Sequence, residues 1–418
     1  MSLANGLHDS STSVLARENH STGRVYPWDK RLVKRLLGSL GDPPVEIVLW
    51  NGDAIRTSSA APIVRVHFLE RRSLLKTLFD ADRHFGDEYR DGRVEVEGDL
   101  VRLLEEAYRG MKWSDEGRRR WVWRRRNTIA DSRENIHHHY DIGNAFYKLW
   151  LDDQLAYTCA YFANPSMSLE EAQFAKMEHV CRKLRLRPGE RVVEAGCGWG
   201  SLALHMARHH GVTVRAFNIS HEQIEYAREV AKRAGLSDRV EYVEDDYRRI
   251  DGAYDAFASV GMLEHVGIEN YRMLGEVINR CLTPGGRGLI HAIGRHRSEP
   301  FSQWMRLRIF PGAEVPTLRE MMDLFEPYDF AVLDVENLRL HYAETLRHWL
   351  ARFESHVDEV RSMFDERFVR TWRFYLSSSI AAFTSGSMQL FQVLFNRHNS
   401  NDVPMTRAHL YEDVARSR

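Results

Sequence analysis

Residues 191–211 read RVVEAGCGWGSLALHMARHHG, and this stretch decides the fold. Arg191-Val192-Val193 is a short apolar strand, Glu194 to Gly200 a glycine-rich turn, and LALHMARHH a helix. Glycines let backbone approach a ligand closely, and a helix N-terminus follows at once. A dinucleotide site would want G-x-G-x-x-G and a helix start suited to pyrophosphate. Here the spacing is the tighter G-x-G-x-G of Gly196-Cys197-Gly198-Trp199-Gly200. A lone G-x-G is common in loops, so the context must carry the reading.

Downstream the chain alternates strand and helix, which predicts an α/β fold with a parallel sheet. VTVRAFNIS is a second strand and HEQIEYAREVAKRAGL a helix with Ile224, Ala227, Ala231 and Ala234 on one face. RVEYVEDDYRRI, YDAFASVGMLEHVG and RGLIHAIG supply three more strands. Ligands of open parallel sheets bind beyond the carboxyl ends of the strands. Gly196, Gln223, Asp246, Glu264 and His291 all fall there. Each could merely cap or turn the chain, but five such placements together point to a site. The second strand ends Phe217-Asn218-Ile219-Ser220, with no acidic residue, and Gln223 beyond it is a candidate to hold a ligand's polar group there.

Upstream, residues 28–111 read as a small mixed domain. WDKRLVKRLLGSL and LVRLLEEAYRG have helical apolar spacing, and PVEIVLW and PIVRVHF read as strands. The predicted division is 1–125 and 126–418. At 418 residues, 28% charged and net charge −1, no global field draws the chain to nucleic acid or anionic membrane. The N-terminus lacks the basic start and apolar run of a signal peptide, and no stretch approaches the ~20 apolar residues of a membrane span, which predicts a cytoplasmic protein. Cys159, Cys181, Cys197 and Cys281 have no CxxC spacing and are expected to be free thiols. The run His137-His138-His139 is not expected to bind metal, because adjacent histidines point different ways; His139-Tyr140-Asp141 is expected in a lid. The segment RRRWVWRRR (118–126) places six arginines around two tryptophans and suits an anionic leaflet, since arginines attract phosphate and tryptophan prefers the interface. Pairing with acidic neighbours is the bland alternative.

Several segments together resemble the cyclopropane fatty acid synthase and mycolic acid cyclopropane synthase family. They include HHHYDIGNAFYKLWL (137–151), YTCAYF (157–162), EAGCGWG (194–200), NISHEQ (218–223), EDDYR (244–248), VGMLEHVG (260–267), LIHAIG (289–294), IFPG (309–312) and HYAETLRHW (341–349). The resemblance implies a class I methyltransferase Rossmann-like sheet, with helical inserts forming an acyl tunnel, plus a smaller N-terminal α+β domain. It implies an S-adenosylmethionine site at Tyr157, Thr158, Gly196, Gly198 and Gln223, with Asp246 and Tyr247 at the adenine region. It implies a bicarbonate site at Cys159, Glu264, His291, Ile293 and Tyr342, with Ile293 contributing only its backbone N–H. The implied activity is cyclopropane-fatty-acyl-phospholipid synthesis on unsaturated acyl chains, at the inner face of the membrane. The N-terminal domain then serves lipid contact or homodimerisation, and nucleic acid is not a partner. Three alternatives stay open: a methylene- or methyl-branched product from the same cation, a non-catalytic lipid-binding protein, and a small-molecule N- or O-methyltransferase. His265 is open between a structural and a catalytic role.

Overall fold

The computed structural model describes residues 23–110 and 142–411. The arginine–tryptophan segment 118–126 and the run His137–His139 with Tyr140 and Asp141 lie outside them. The chain divides into compact units at residues 1–99 and 100–418.

In the first unit, helix α1 (Pro27–Ser39) precedes strands β1 (Val45–Val48), β2 (Ala54–Ile55) and β3 (Val64–Phe68). Helices α2 (Arg71–Phe79) and α3 (Ala81–Arg90) and strand β4 (Val94–Gly98) follow. The sheet order is β2-β1-β3-β4, with β1 and β3 parallel. Alternate residues of β3, Val64, Val66 and Phe68, are buried, as the period of two in its sequence predicts. One buried charge is fully paired: Glu88 accepts from Ser73, Lys76 and Arg93.

The second unit opens with α4 (Leu100–Gly110) and the single turn α5 (Asn144–Tyr147). Helix α6 (Leu169–Leu184) starts at a capping box, in which Ser168 accepts the Glu171 N–H and Glu171 reaches back to the Ser168 N–H. Next come β5 (Arg191–Ala195), α7 (Ser201–His210), β6 (Thr213–Asn218), α8 (His221–Arg233), β7 (Val240–Glu244) and β8 (Tyr254–Val260). Then follow α9 (Tyr271–Cys281), β9 (Leu282–Gly294), α10 (Gln303–Arg308), α11 (Leu318–Met321) and β10 (Phe330–Asn337). The unit closes with α12 (Arg339–Ser355), α13 (Val357–Met363), α14 (Glu366–Ser385) and β11 (Gln389–Arg397).

Seven strands form one sheet in the order β10-β11-β9-β8-β5-β6-β7. From β9 to β7 the pairs are parallel, as the alternating sequence predicts. The β11 strand runs antiparallel to both β9 and β10, so the sheet is mixed. One apolar layer holds Val180, Leu202, Met206 and Ile224; the other holds Phe257, Leu274, Ile278 and Phe325. The glycine turn is built by close approach: a Cβ on Gly200 would stand 2.5 Å from the Tyr242 hydroxyl, which itself donates to the Gly200 carbonyl. Helix α4 packs on α14 within this second unit, and Thr384 donates to Glu105 at 2.6 Å. The four cysteines are buried and unbridged. Among the described residues, no helix is long and apolar enough to cross a membrane.

Candidate active site

Beyond the carboxyl ends of β5, β6 and β8 lies a cleft of about 740 Å³, part of it open to solvent. Tyr157, Thr158, Gly196, Gly198 and Gln223 line it. Asp246 and Tyr247 are not among the lining residues. Asp246 caps a short helical turn, accepting the Arg248 N–H and its guanidinium, each at 2.9 Å. Tyr247 is buried, with the Arg248 guanidinium 4.9 Å from its ring centre.

The cleft is shaped by its neighbours. Gly196 has φ +82°, and a Cβ there would meet Met262 at 2.8 Å. Gln223 accepts from Asn218 Nδ2 at 2.7 Å, while its own buried Nε2 has no partner among the described residues. Trp199 donates to Asn144 at 2.7 Å, which ties the glycine turn to α5. The Tyr157–Thr158 segment is held by α6, because Gln173 Nε2 donates to the carbonyls of Ala156 and Thr158 at 3.1 and 2.8 Å. Lys176 Nζ donates to Thr158 Oγ1 at 3.1 Å.

Lys176 and Glu194 also line the cleft, and both are functional-site residues that sequence reasoning missed. Glu194 was visible only as the first letter of EAGCGWG, and nothing in the sequence separates Lys176 from a surface lysine of α6. Burial pushes Glu194 up to about 8 and Lys176 below its ordinary range. His265 lines the cleft too, and burial lowers it to about 4, so the ring is neutral there at physiological pH.

A second constellation sits beside the cleft. Glu264 follows β8 and accepts the Ile293 backbone N–H on Oε1 at 2.6 Å. That N–H, expected to face an anion, is therefore engaged by Glu264. Glu264 Oε2 is buried without a partner among the described residues, and burial pushes the carboxyl up to about 7. His291 stands on β9 opposite Gln392 of β11, and Gln392 Nε2 donates to its Nδ1 at 2.9 Å. His291 Nε2 is likewise buried and unpartnered among the described residues, and burial lowers the ring to about 3.

Cys159 and Tyr342 join through Leu338. The Leu338 carbonyl accepts the Tyr342 N–H at 3.2 Å and faces Cys159 Sγ at 4.0 Å, while Cys159 donates more closely to Ala160. Leu338 in turn donates to the Leu390 carbonyl at 2.8 Å, and Leu390 is in register with Ile293. Backbone contacts thus join Cys159, Tyr342, Ile293 and Glu264, while His291 lies two residues from Ile293 on β9. Burial holds the Cys159 thiol protonated, far above the thiolate range, so it is no nucleophile. Trp349 links this set to the cleft: its ring centre lies 6.0 Å from Tyr342 and 5.2 Å from Tyr157.

A cleft at a G-x-G-x-G turn, on this sheet order, defines the class: an S-adenosylmethionine-dependent methyltransferase of the class I fold. The chain belongs to the family described as mycolic acid cyclopropane synthetase, whose profile matches residues 127–393. A domain of unknown function matches residues 32–114. A probable fatty acid methyltransferase of Pseudomonas putida is 34% identical over 382 residues, 88% of this chain and 96% of that protein. The cyclopropane-fatty-acyl-phospholipid synthase of Escherichia coli K12 is 38% identical over 270 residues, 64% of this chain and 69% of that one. The solved mycolic acid cyclopropane synthase CmaA1, complexed with SAH and CTAB, is 27% identical with a TM-score of 0.60, covering 63% of this chain and 98% of its own.

Proposed function

We propose that the chain is a cyclopropane-fatty-acyl-phospholipid synthase that works on the cis double bond of a phospholipid acyl chain. S-adenosylmethionine would supply an electrophilic methyl: the alkene's electron pair forms the new C–C bond as the sulfonium S–C bond breaks and S-adenosylhomocysteine leaves, and loss of a proton from that methyl closes the ring. One observation carries the reading: Glu264 Oε2 and His291 Nε2 are both buried, and neither has a partner among the described residues. Because Nδ1 accepts from Gln392, the neutral His291 ring carries its proton on Nε2. An acceptor and a donor thus wait in one buried set. Glu264 and His291 would hold a bicarbonate, which has an O–H for an acceptor and oxygens for a donor, and as a base it would take the methyl proton.

The chain's own residues must also keep water from the cation, which would otherwise be trapped as an alcohol. Tyr157, at the cleft, packs edge-on and tilted among Tyr147, Trp150 and Trp349 with ring centres 5.2–5.5 Å away. Such aromatic walls exclude water, and their faces favour a nearby positive charge. The segment RRRWVWRRR is proposed to bring the protein to the cytoplasmic face of an anionic membrane as a peripheral partner, with residues 1–125 as the accessory domain for lipid contact or dimerisation.

A methylene- or methyl-branched product from the same cation is the second reading. The Pseudomonas relative that aligns along most of this chain bears the name fatty acid methyltransferase. Incubation with cis-unsaturated phospholipid vesicles and labelled S-adenosylmethionine separates the readings. A cyclopropane adds one CH₂ per acyl chain and resists mild hydrogenation. A product of that mass which hydrogenates readily is a methylene branch, and a chain that labels no lipid overturns the proposal.

A further inference from the structure

Away from the cleft, the far ends of α6 and α7 bring together Cys181, His205 and His210. Their ligand atoms all lie within 4.8 Å of one another. Glu178, one turn before Cys181 on α6, lies against both histidines: its Oε2 is 3.2 Å from His205 Nε2 and 3.1 Å from His210 Nε2. We propose that Glu178, Cys181, His205 and His210 form a structural zinc site that clamps α6 to α7.

The distances favour a metal. Around a tetrahedral zinc with bonds of about 2.0 Å to nitrogen and oxygen, neighbouring donors stand about 3.3 Å apart. Both Glu178–histidine separations match that spacing. The Cys181 sulfur lies within 4.8 Å of the histidine donors and has to close in toward a bond of about 2.3 Å. Thiolate, two imidazoles and a carboxylate are a donor set that selects zinc over magnesium or calcium, which want oxygen. Four protein donors close the shell and leave no position for substrate, so the site is structural.

The surroundings agree. Arg182 donates to Glu178 Oε1 at 3.1 Å and so orients the carboxylate from outside the donor set. Cys181 and His205 are buried, while His210 is half-buried and gives the metal its way in. On binding, zinc displaces the Cys181 thiol proton to solvent, and no oxidant or reductant is needed. The clamp has a purpose in the fold. Helix α6 carries Lys176 and Gln173, which hold the Tyr157–Thr158 segment, and α7 begins at Ser201 on the cleft wall. Locking the two helices fixes two walls of the cleft against each other.

Cobalt(II) is the probe. The full chain is stripped with a chelator and titrated with Co(II). One equivalent is expected to give intense tetrahedral d–d bands and a thiolate-to-cobalt band in the near ultraviolet, which zinc then bleaches. Cys181→Ser is expected to lose the thiolate band, and His210→Gln to weaken affinity by more than about tenfold. Cys281→Ser, on a different helix, keeps both. Zinc should raise the Tm of the parent and not of Cys181→Ser. Histidines elsewhere can bind cobalt through nitrogen but cannot give the thiolate band. Absence of that band in the parent overturns the site, as does a band that survives Cys181→Ser or an unchanged affinity in His210→Gln. If Cys181→Ser does not fold by circular dichroism, His210→Gln decides alone.

Discussion

Gln392 donates its side-chain N–H to Nδ1 of His291 at 2.9 Å, across the antiparallel pair of β11 and β9. The consequence is chemical: the ring proton is held on Nε2, the nitrogen left facing the candidate anion site. Gln392 is therefore a positioning residue for His291. Gln392→Met, which keeps length but cannot donate, is expected to lower kcat roughly tenfold, about the worth of one buried hydrogen bond. KM for S-adenosylmethionine should stay unchanged, and nitrogen-15 NMR of His291 should report a mixed tautomer. A rise in KM with kcat intact would make Gln392 a structural residue only.

The glycine turn offers a cleaner test of the cofactor cleft than its first glycine. A side chain on Gly196 would strike Met262, so a defect there reports packing as well as binding. A Cβ on Gly198 meets nothing within 4 Å. Gly198→Val is expected to fold and to lose affinity for S-adenosylmethionine by at least about tenfold, although φ +53° costs it roughly 1 kcal/mol of stability. Calorimetry with unchanged affinity would remove this turn from the cofactor site.

Glu194 makes stability depend on pH. Its folded value of about 8 lies above the ordinary 4.5, so between those limits the folded chain keeps a proton that the unfolded chain releases. Stability is fully present below about 4.5 and falls as pH rises toward 8. Glu194→Gln removes that loss. Without cofactor, its Tm is expected to exceed the parent's by at least about 2 °C near pH 8.5, with no gain near pH 5. An equal difference at both pH values would mean that the carboxyl does not titrate there.

Glu264→Gln keeps size and an acceptor but loses charge. It is expected to bind S-adenosylmethionine normally and to turn over about 10²-fold more slowly, within the range of general-base effects. Added bicarbonate should restore part of the rate, and bicarbonate depletion should slow the parent. Full activity in Glu264→Gln and His291→Gln would take both residues out of the mechanism.

The membrane proposal rests on RRRWVWRRR alone. Replacing its six arginines by glutamine should weaken binding to anionic vesicles, with the difference fading as salt screens the charges. Equal binding at low salt would place the membrane contact elsewhere.

The parallel half of the sheet was legible because each strand carried its own signal: an apolar run, then a turn, then a helix with apolar residues on one face. The strands expected at VTVRAFNIS, RVEYVEDDYRRI and YDAFASV are β6, β7 and β8. The antiparallel strand β11 was not read, because QLFQVLFNR mixes polar and apolar residues without a period of two, and burial on both faces leaves no alternation to read. With it went Gln392, whose meaning depends on register with His291. Lys176 was illegible for a related reason: the charge sits mid-helix in a polar-looking sequence, and only packing reveals that it is buried. Asp246 was legible as a strand-end acid, but a side chain that caps its own turn looks the same in sequence as one that reaches a ligand.

The position of β11 also sets the order in which this enzyme can come into being. The strand lies between β9 and β10, yet it follows both in the chain and so leaves the ribosome after them. Until residues 389–397 emerge, β9 presents an open edge, and the His291 ring is without the neighbour that fixes its proton. On the role proposed for His291, a chain that stops before β11 would keep the cofactor cleft and lose activity. Its unpaired β9 edge would recruit other chains, so pairing with β11 also guards against aggregation.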